Sequence, residues 1–131
     1  MVHTYYYTAG VTLLMLLLYF VLTGVAGRAR AKYGVKAPAV TGNEHFERAY
    51  RVQMNTVEQL VFVVPAMWVY AYVLSDIGAA VGGLLWIVAR IIYAVSYLRD
   101  PTTRGPGAML TVLVDVGIFL GAAYGVVRAL L

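Results

Sequence analysis

The first apolar segment of the chain places the strongest constraint on its fold. From Thr4 to Gly27 the sequence contains no charged residue. Because an α-helix rises ~1.5 Å per residue, a helix of this length extends about 36 Å, enough to cross the hydrocarbon core of a bilayer with some tilt. Tyr5, Tyr6 and Tyr7 lie at its start, where an aromatic belt is expected at the membrane surface. The segment therefore predicts a membrane-spanning helix.

Three further apolar segments follow, and the composition agrees with them. Hydrophobic residues make up 62% of the chain and charged residues only 12%, against roughly 45–50% apolar residues in a soluble domain. Stretches rich in glycine, proline and asparagine separate the apolar segments. We expect an all-α integral membrane four-helix bundle that forms a single domain over residues 1–131, with helices at about 4–32, 44–75, 78–98 and 106–130.

Basic residues are concentrated in the first and third connections between these helices. The turn between the second and third helices contains neither Lys nor Arg, whereas loops 28–45 and 99–107 contain Arg28, Arg30, Lys32, Lys36, Arg99 and Arg104. Basic loops are retained on the cytoplasmic side of a membrane. We therefore expect a multi-pass protein with both basic loops in the cytoplasm and both termini on the opposite side.

The fourth helix carries small residues at a spacing of four. Gly117, Gly121 and Gly125 share one helix face, and such a face allows two helices to approach closely. The alternative is that these are glycines of the kind common in membrane helices, without a packing role.

The second helix begins with a polar face and then becomes apolar. Glu47, Arg48, Arg51, Asn55 and Glu58 fall within an arc of about 100° on a helix. Arg binds carboxylates in a fork and Glu binds an ammonium group, so the pattern favours a site for a zwitterion. The alternative is a basic face that contacts lipid phosphates. That alternative explains Arg48 and Arg51 but does not explain Asn55 and Glu58.

Two more charged residues lie deep in apolar helices, at about the depth of Glu58. Isolated charges are costly there, so we expect Arg90 and Asp115 to pair with each other or with polar neighbours. Both, together with Arg48, are interpreted as structural polar residues that hold the bundle together. A functional role for Arg90 and Asp115 is the alternative.

The third helix and the loop after it add a second polar group. Tyr93 and Tyr97 follow Arg90 at i+3 and i+7, so the three share one face; the alternative is an aromatic belt at the interface. Arg104 lies at the entrance to the fourth helix. An arginine held near a thiol lowers the pKa of that thiol and favours the thiolate. The chain has no cysteine, so a reacting sulfur must belong to a ligand.

Two motifs resemble those of one family. The patterns Glu47-Arg48-x-x-Arg51-x-x-x-Asn55-x-x-Glu58 and Ala-Arg90-x-x-Tyr93-x-x-x-Tyr97, followed by Arg104, are similar to signatures of the membrane-associated proteins in eicosanoid and glutathione metabolism, the MAPEG family. The resemblance implies a homotrimer of four-helix subunits. It also implies three glutathione sites between subunits, facing the cytosol, with glutathione as co-substrate and no metal.

The resemblance also assigns residues to roles. One subunit is expected to contact glutathione through Arg51, Asn55, Glu58, Tyr93 and Tyr97, and the neighbouring subunit through Arg30 and Gln53. Arg104 matches the residue that stabilises the glutathione thiolate and is the expected catalytic residue. Gln59 and Ala31 depart from the leukotriene-synthase branch, which has Tyr and Arg at these positions. These departures favour a general transferase, or a member with a different substrate that the sequence does not identify, over a leukotriene-specific enzyme.

The leading hypothesis is therefore a membrane-bound glutathione transferase that conjugates the glutathione thiolate to lipophilic electrophiles entering from the bilayer. Glutathione peroxidase activity is an additional hypothesis. One alternative is a non-catalytic scaffold of the same family that binds lipid or glutathione. A remote alternative is a small proton-coupled drug transporter, which needs an acidic residue that the segment from Thr4 to Gly27 lacks. His3 and His45 are isolated, so no metal site is expected, and no nucleic-acid motif is present.

Overall fold

A computed structural model describes residues 4–131 of the chain, so His3 lies outside the described residues. The helices are α1 (Tyr6–Lys32), α2 (Glu44–Val73), α3 (Asp76–Arg99) and α4 (Gly105–Leu130), and a short 3₁₀ turn (Pro101–Thr103) precedes α4. All four α-helices are long and apolar enough to cross a membrane. The prediction of an all-α, four-helix integral membrane protein is confirmed.

The helix ends lie within two residues of the predicted ones. The two-residue differences are at the start of α1, the end of α2 and the start of α3. For α3 the cause is local: the Ser75 hydroxyl accepts a hydrogen bond of 3.0 Å from the Gly78 backbone N–H, so α3 begins at Asp76 rather than at 78. A side chain that satisfies a free N–H at a helix start is a typical N-cap.

Side-chain contacts show that successive helices run antiparallel. Along the α1–α2 pair, the Trp68 indole N–H donates to the Thr12 hydroxyl over 3.1 Å, and the Gln53 amide donates to the Thr23 hydroxyl over 3.3 Å. Between α2 and α3, Arg90 contacts Asn55 and Gly78 lies against Tyr70. Between α3 and α4, Gly107 lies against Tyr93 and Ile118 against Gly82. The segment between α1 and α2 therefore lies at the same end of the bundle as the segment between α3 and α4. We call this the pocket end, because the cavity described in the next subsection opens there; it is formed by residues 33–43 and 100–104.

The core of the bundle is apolar and lies midway along the helices. Met15, Val63, Met67 and Trp86 are fully buried there, and a smaller cluster around Leu22, Val52, Tyr93 and Ala94 lies nearer the pocket end. The outward side chains are also apolar, and Phe20 and Val61 are each 74% exposed. An apolar outer surface is what a helix bundle presents to lipid.

At the end of the bundle opposite the pocket end, the start of α3 is hydrogen-bonded to the start of α1. The Asp76 carboxylate accepts hydrogen bonds from the backbone N–H groups of Tyr7 (3.1 Å) and Thr8 (2.8 Å). The first N–H groups of a helix have no partner within it, and the positive end of its dipole favours an anion. Asp76, the first residue of α3, therefore provides acceptors for two of the free N–H groups at the start of α1.

The small residues of α4 contact α2 at two of the three expected positions. A Cβ at Gly121 would collide with the ring of Tyr70, and one at Gly125 would collide with Val73 and Leu74. A Cβ at Gly117 would meet nothing within 4 Å. Of the three glycines, Gly121 and Gly125 therefore lie at the close approach of α4 to α2, and Gly117 does not.

A second close approach places the start of α4 on α3. A Cβ at Gly107 would lie 2.5 Å from the backbone nitrogen of Tyr93 and 2.6 Å from its Cα. Backbone atoms within a helix cannot move aside as a flexible side chain can. The absence of a side chain at Gly107 therefore allows α4 to pack closely against α3. This contact places Arg104, at the start of α4, near the end of α3 that carries Tyr97.

We predict that Gly107→Ala separates α4 from α3 and lowers the free energy of unfolding by about 1–3 kcal/mol, the range for overpacking a close contact. Thermal unfolding in detergent measures the effect. Gly105→Ala is the matched control because a Cβ at Gly105 would meet nothing within 4 Å. Equal unfolding temperatures for the two variants would contradict the account of this helix contact.

Candidate functional site

A polar cavity of about 240 Å³ opens at the pocket end, between α2, α3 and the start of α4. We call it the polar pocket. Its lining consists of Arg51, Asn55, Glu58, Tyr93, Tyr97 and Arg104. All six residues were selected from the sequence as candidate site residues, and the fold brings them around one cavity.

The α2 side of the polar pocket is one face of the helix. Arg51, Asn55 and Glu58 lie at i, i+4 and i+7, so they share that face. Arg51 and Glu58 are exposed and Asn55 is half-buried. Among residues 4–131, the single ion pair is the one between Arg48 and Glu44. The charged groups of the polar pocket therefore have no ionic partner within the described chain and are available to a ligand.

The α3 side is a stack of rings and cations. The ring centroids of Tyr93 and Tyr97 are 5.6 Å apart. The guanidinium of Arg90 lies 4.0 Å from the Tyr93 centroid, and that of Arg104 lies 5.5 Å from the Tyr97 centroid. A guanidinium over an aromatic face is attracted by the ring quadrupole. The stack thus has a buried arginine at its base and an exposed one at its mouth.

The turn before α4 sets the position of Arg104. The Asp100 carboxylate accepts hydrogen bonds from the Thr102 backbone N–H (3.0 Å) and the Thr102 hydroxyl (2.8 Å). The Thr103 hydroxyl donates to the Asp100 carbonyl over 2.7 Å. The bonds from the Thr102 backbone and hydroxyl hold the pKa of Asp100 below its ordinary value. Arg104 follows this hydrogen-bonded turn directly.

The structure shows which neighbours Arg90 uses. Its Nη2 donates to the Asn55 Oδ1 over 3.2 Å and to the Thr56 hydroxyl over 2.8 Å. Within residues 4–131, no carboxylate lies within 4.0 Å of Arg90. The side chain extends toward α2, where its acceptors are neutral. The pairing with polar neighbours is therefore found, and the direct ion pair with Asp115 is not.

Asp115 is buried, at 6% exposure. Its Oδ1 atom has no hydrogen-bond partner among the described residues. It lies on α4, away from the lining of the polar pocket.

Arg30, Gln53 and Arg48 lie outside the polar pocket of their own chain. Arg30 donates to the carbonyls of Val35 (3.4 Å) and Ala39 (2.6 Å). Gln53 contacts α1, and Arg48 pairs with Glu44. Because the resemblance assigns Arg30 and Gln53 to a neighbouring subunit, their contact with a ligand stays a prediction.

Three residues that support the polar pocket were not selected from the sequence. They are Thr56, Asp100 and Gly107. Asp100 carried a readable signal, because Asp-Pro-Thr is a capping pattern. Gly107 carried none, because its close contact is with a different helix. Thr56 carried none, because it resembles any polar residue on a membrane helix.

The family comparison covers nearly the whole chain. The model of the MAPEG family matches residues 8–124, a range that includes every residue of the polar pocket. The chain belongs to the MAPEG family.

Relatives of this MAPEG protein include both characterised and uncharacterised proteins. It is 46% identical over 112 residues to an uncharacterised protein of Synechocystis, covering 86% of this chain and 82% of the relative. It is 33% identical over 113 residues to microsomal glutathione S-transferase 2 of Homo sapiens, covering 86% and 76%. It is 32% identical over 133 residues to leukotriene C4 synthase of Rattus norvegicus, covering 94% and 87%.

We predict that Asp100→Ala loosens the turn before Arg104 and speeds hydrogen–deuterium exchange of the Thr102 amide at neutral pH. The pKa of Asp100 is lower in the folded chain than its ordinary value of 3.8. Its contribution is therefore complete above that value and is lost as pH falls through the lower, folded pKa. The difference between variant and unmodified protein should shrink in that acidic range.

Asp100→Asn is the matched control for this measurement. It keeps a side-chain oxygen that can accept from Thr102 but has no charge to titrate. We expect slow exchange of the Thr102 amide in this variant, without the acid-dependent loss. An Asp100→Ala protein that exchanges at the unmodified rate at neutral pH would contradict this role of Asp100.

Proposed function

We propose that this MAPEG protein is a membrane-bound glutathione transferase that conjugates the glutathione thiolate to lipophilic electrophiles. The observation that carries the proposal is the polar pocket, where two arginines, a carboxylate, an amide and two phenols surround one cavity without ionic partners in the described chain. The relationship to a microsomal glutathione S-transferase supports the same conclusion.

The chemistry of the polar pocket suits the ends of glutathione. The tripeptide carries two carboxylates, one ammonium group and one thiol. Arg51 can bind a carboxylate through a forked pair of hydrogen bonds, and Glu58 can bind the ammonium group. The two arginines and one carboxylate that line the cavity give it a net positive charge, which suits a ligand with more negative than positive groups.

Arg104 is the group that we assign to the thiol. It is exposed at the mouth of the polar pocket, and a nearby guanidinium stabilises a thiolate over a thiol. The thiolate sulfur forms a bond to an electrophilic carbon, and the leaving group departs with the bonding electrons. Reduction of a lipid hydroperoxide by the same thiolate is a second activity that this assignment allows.

The two substrates reach the polar pocket from different phases. The electrophile enters laterally from the bilayer, because the outer surface of the bundle is apolar. Glutathione arrives from the cytosol, because the basic loops lie at the pocket end. The active assembly is a homotrimer in which Arg30 and Gln53 of one subunit reach the site of the next.

We predict different kinetic effects for the two arginines of the polar pocket. Arg51→Ala should weaken glutathione binding by roughly tenfold or more, since a hydrogen bond to a charged group contributes about 1.5–3 kcal/mol. Arg104→Ala should mainly lower kcat and reduce the thiolate absorbance of bound glutathione. Calorimetric titration with glutathione and turnover of a chloronitroarene measure the two effects.

Arg99→Ala is the matched control, because Arg99 is an exposed arginine at the pocket end outside the lining of the cavity. It should leave binding and turnover unchanged. Glutathione binding without turnover would favour the non-catalytic scaffold of the same family. Absence of both glutathione binding and turnover in the unmodified protein would overturn the proposal. Binding that Arg51→Ala leaves unchanged would also overturn it.

A further inference from the structure

A buried cation, Arg90, lies beneath the polar pocket and outside its lining. Arg90 is 1% exposed and does not line the cavity, yet it contacts two residues that do. The face of its guanidinium lies 4.0 Å from the Tyr93 ring centroid. Its Nη2 atom lies 3.2 Å from the Asn55 Oδ1.

The direction of these hydrogen bonds is set by chemistry. A guanidinium can only donate. The two hydrogens of Nη2 therefore go to Asn55 Oδ1 (3.2 Å) and to the Thr56 hydroxyl oxygen (2.8 Å). The Thr56 hydroxyl in turn donates a hydrogen bond to the Val52 carbonyl over 2.7 Å. No step of this chain can be reversed without placing two donors or two acceptors against each other.

The same constraint sets which end of the Asn55 amide is free. Its oxygen is engaged by Arg90 beneath the pocket. Its nitrogen makes no hydrogen bond within residues 4–131 and is not among their enclosed, unpartnered polar atoms. Asn55 is half-buried and lines the cavity. The NH₂ group is therefore the part of the amide that is accessible.

We propose that Arg90 is a positioning residue that locks the Asn55 amide with its NH₂ group toward the polar pocket, so that Asn55 recognises an acceptor, a carboxylate or carbonyl oxygen, on the ligand. A free asparagine could present either end, because its amide both donates and accepts. The lock removes that choice, and with it the ability of this position to bind an ammonium group. Glu58 is then the charged acceptor in the lining that serves the ammonium group.

The identification of the acceptor with an oxygen of glutathione rests on the proposed function, whereas the orientation of Asn55 does not. The chain offers an internal control for testing the orientation. Its asparagines are Asn43 and Asn55. The side-chain Oδ1 of Asn43 caps α2 by accepting from the backbone N–H groups of His45 and Phe46. Protein labelled with ¹⁵N-asparagine in detergent therefore gives one reporter signal in the polar pocket and one reference signal outside it.

The first measurement needs no ligand. The side-chain NH₂ signal of Asn55 should exchange saturation with water, because the group faces an open cavity. It should move in Arg90→Met, which removes every donor, and stay near its original position in Arg90→Lys, which keeps a charged donor. The Asn43 signal should be unchanged in both. An Asn55 signal shielded from water, or equally unmoved by both substitutions, would overturn the proposal.

The second measurement adds glutathione. Its binding should shift the Asn55 NH₂ signal and leave the Asn43 signal in place, and Arg90→Met should weaken binding by roughly tenfold while Arg90→Lys retains more of it. If glutathione binds by calorimetry without moving the Asn55 signal, the proposed contact is wrong. If glutathione does not bind at all, the proposed function fails, and the water-exchange result still decides the orientation.

A separate variant covers the case in which Arg90→Met does not fold. Asn55→Asp keeps an oxygen for Arg90 and should not lower the unfolding temperature, but it presents an acceptor to the polar pocket in place of a donor. We expect at least tenfold weaker glutathione binding. Binding as tight as in the unmodified protein would overturn the proposal.

Discussion

The contact of Arg90 with α2 is the interaction on which the rest of the site depends. A guanidinium buried among membrane helices has no water to bind, so protein groups must satisfy it. Asn55 and Thr56 accept its hydrogen bonds, and the Tyr93 ring covers its face. These contacts set the register of α2 against α3 just below the polar pocket. A displacement of either helix along its axis would separate a buried cation from its acceptors, which opposes such a movement.

The charged groups that line the polar pocket differ from the buried Arg90 in both exposure and pairing. Arg51, Glu58 and Arg104 are exposed and have no ionic partner within residues 4–131. The backbone positions them: Arg51 and Glu58 by the pitch of α2, and Arg104 by the hydrogen-bonded turn and the close approach at Gly107. Unpaired charged groups around an open cavity are what a binding site for a small charged ligand requires.

Much of this arrangement could be predicted from the sequence, and the failures have physical reasons. Helix spacing placed Arg51, Asn55 and Glu58 on one face, and the family motif added Tyr93, Tyr97 and Arg104; the fold brings all six together. Depth arguments put Arg90 level with Asp115 but carried no information on which way a long side chain turns. The contact at Gly107 is between two helices, so no pattern within one of them reveals it. Arg30 and Gln53 depend on a second chain.

A structure of the protein in lipid at saturating glutathione would show whether the polar pocket binds this tripeptide. We expect glutathione in the cavity, with a carboxylate at Arg51, an oxygen facing the Asn55 NH₂ group and the sulfur nearest to Arg104. Glutathione bound elsewhere on the protein, or an empty polar pocket at saturation, would contradict this expectation.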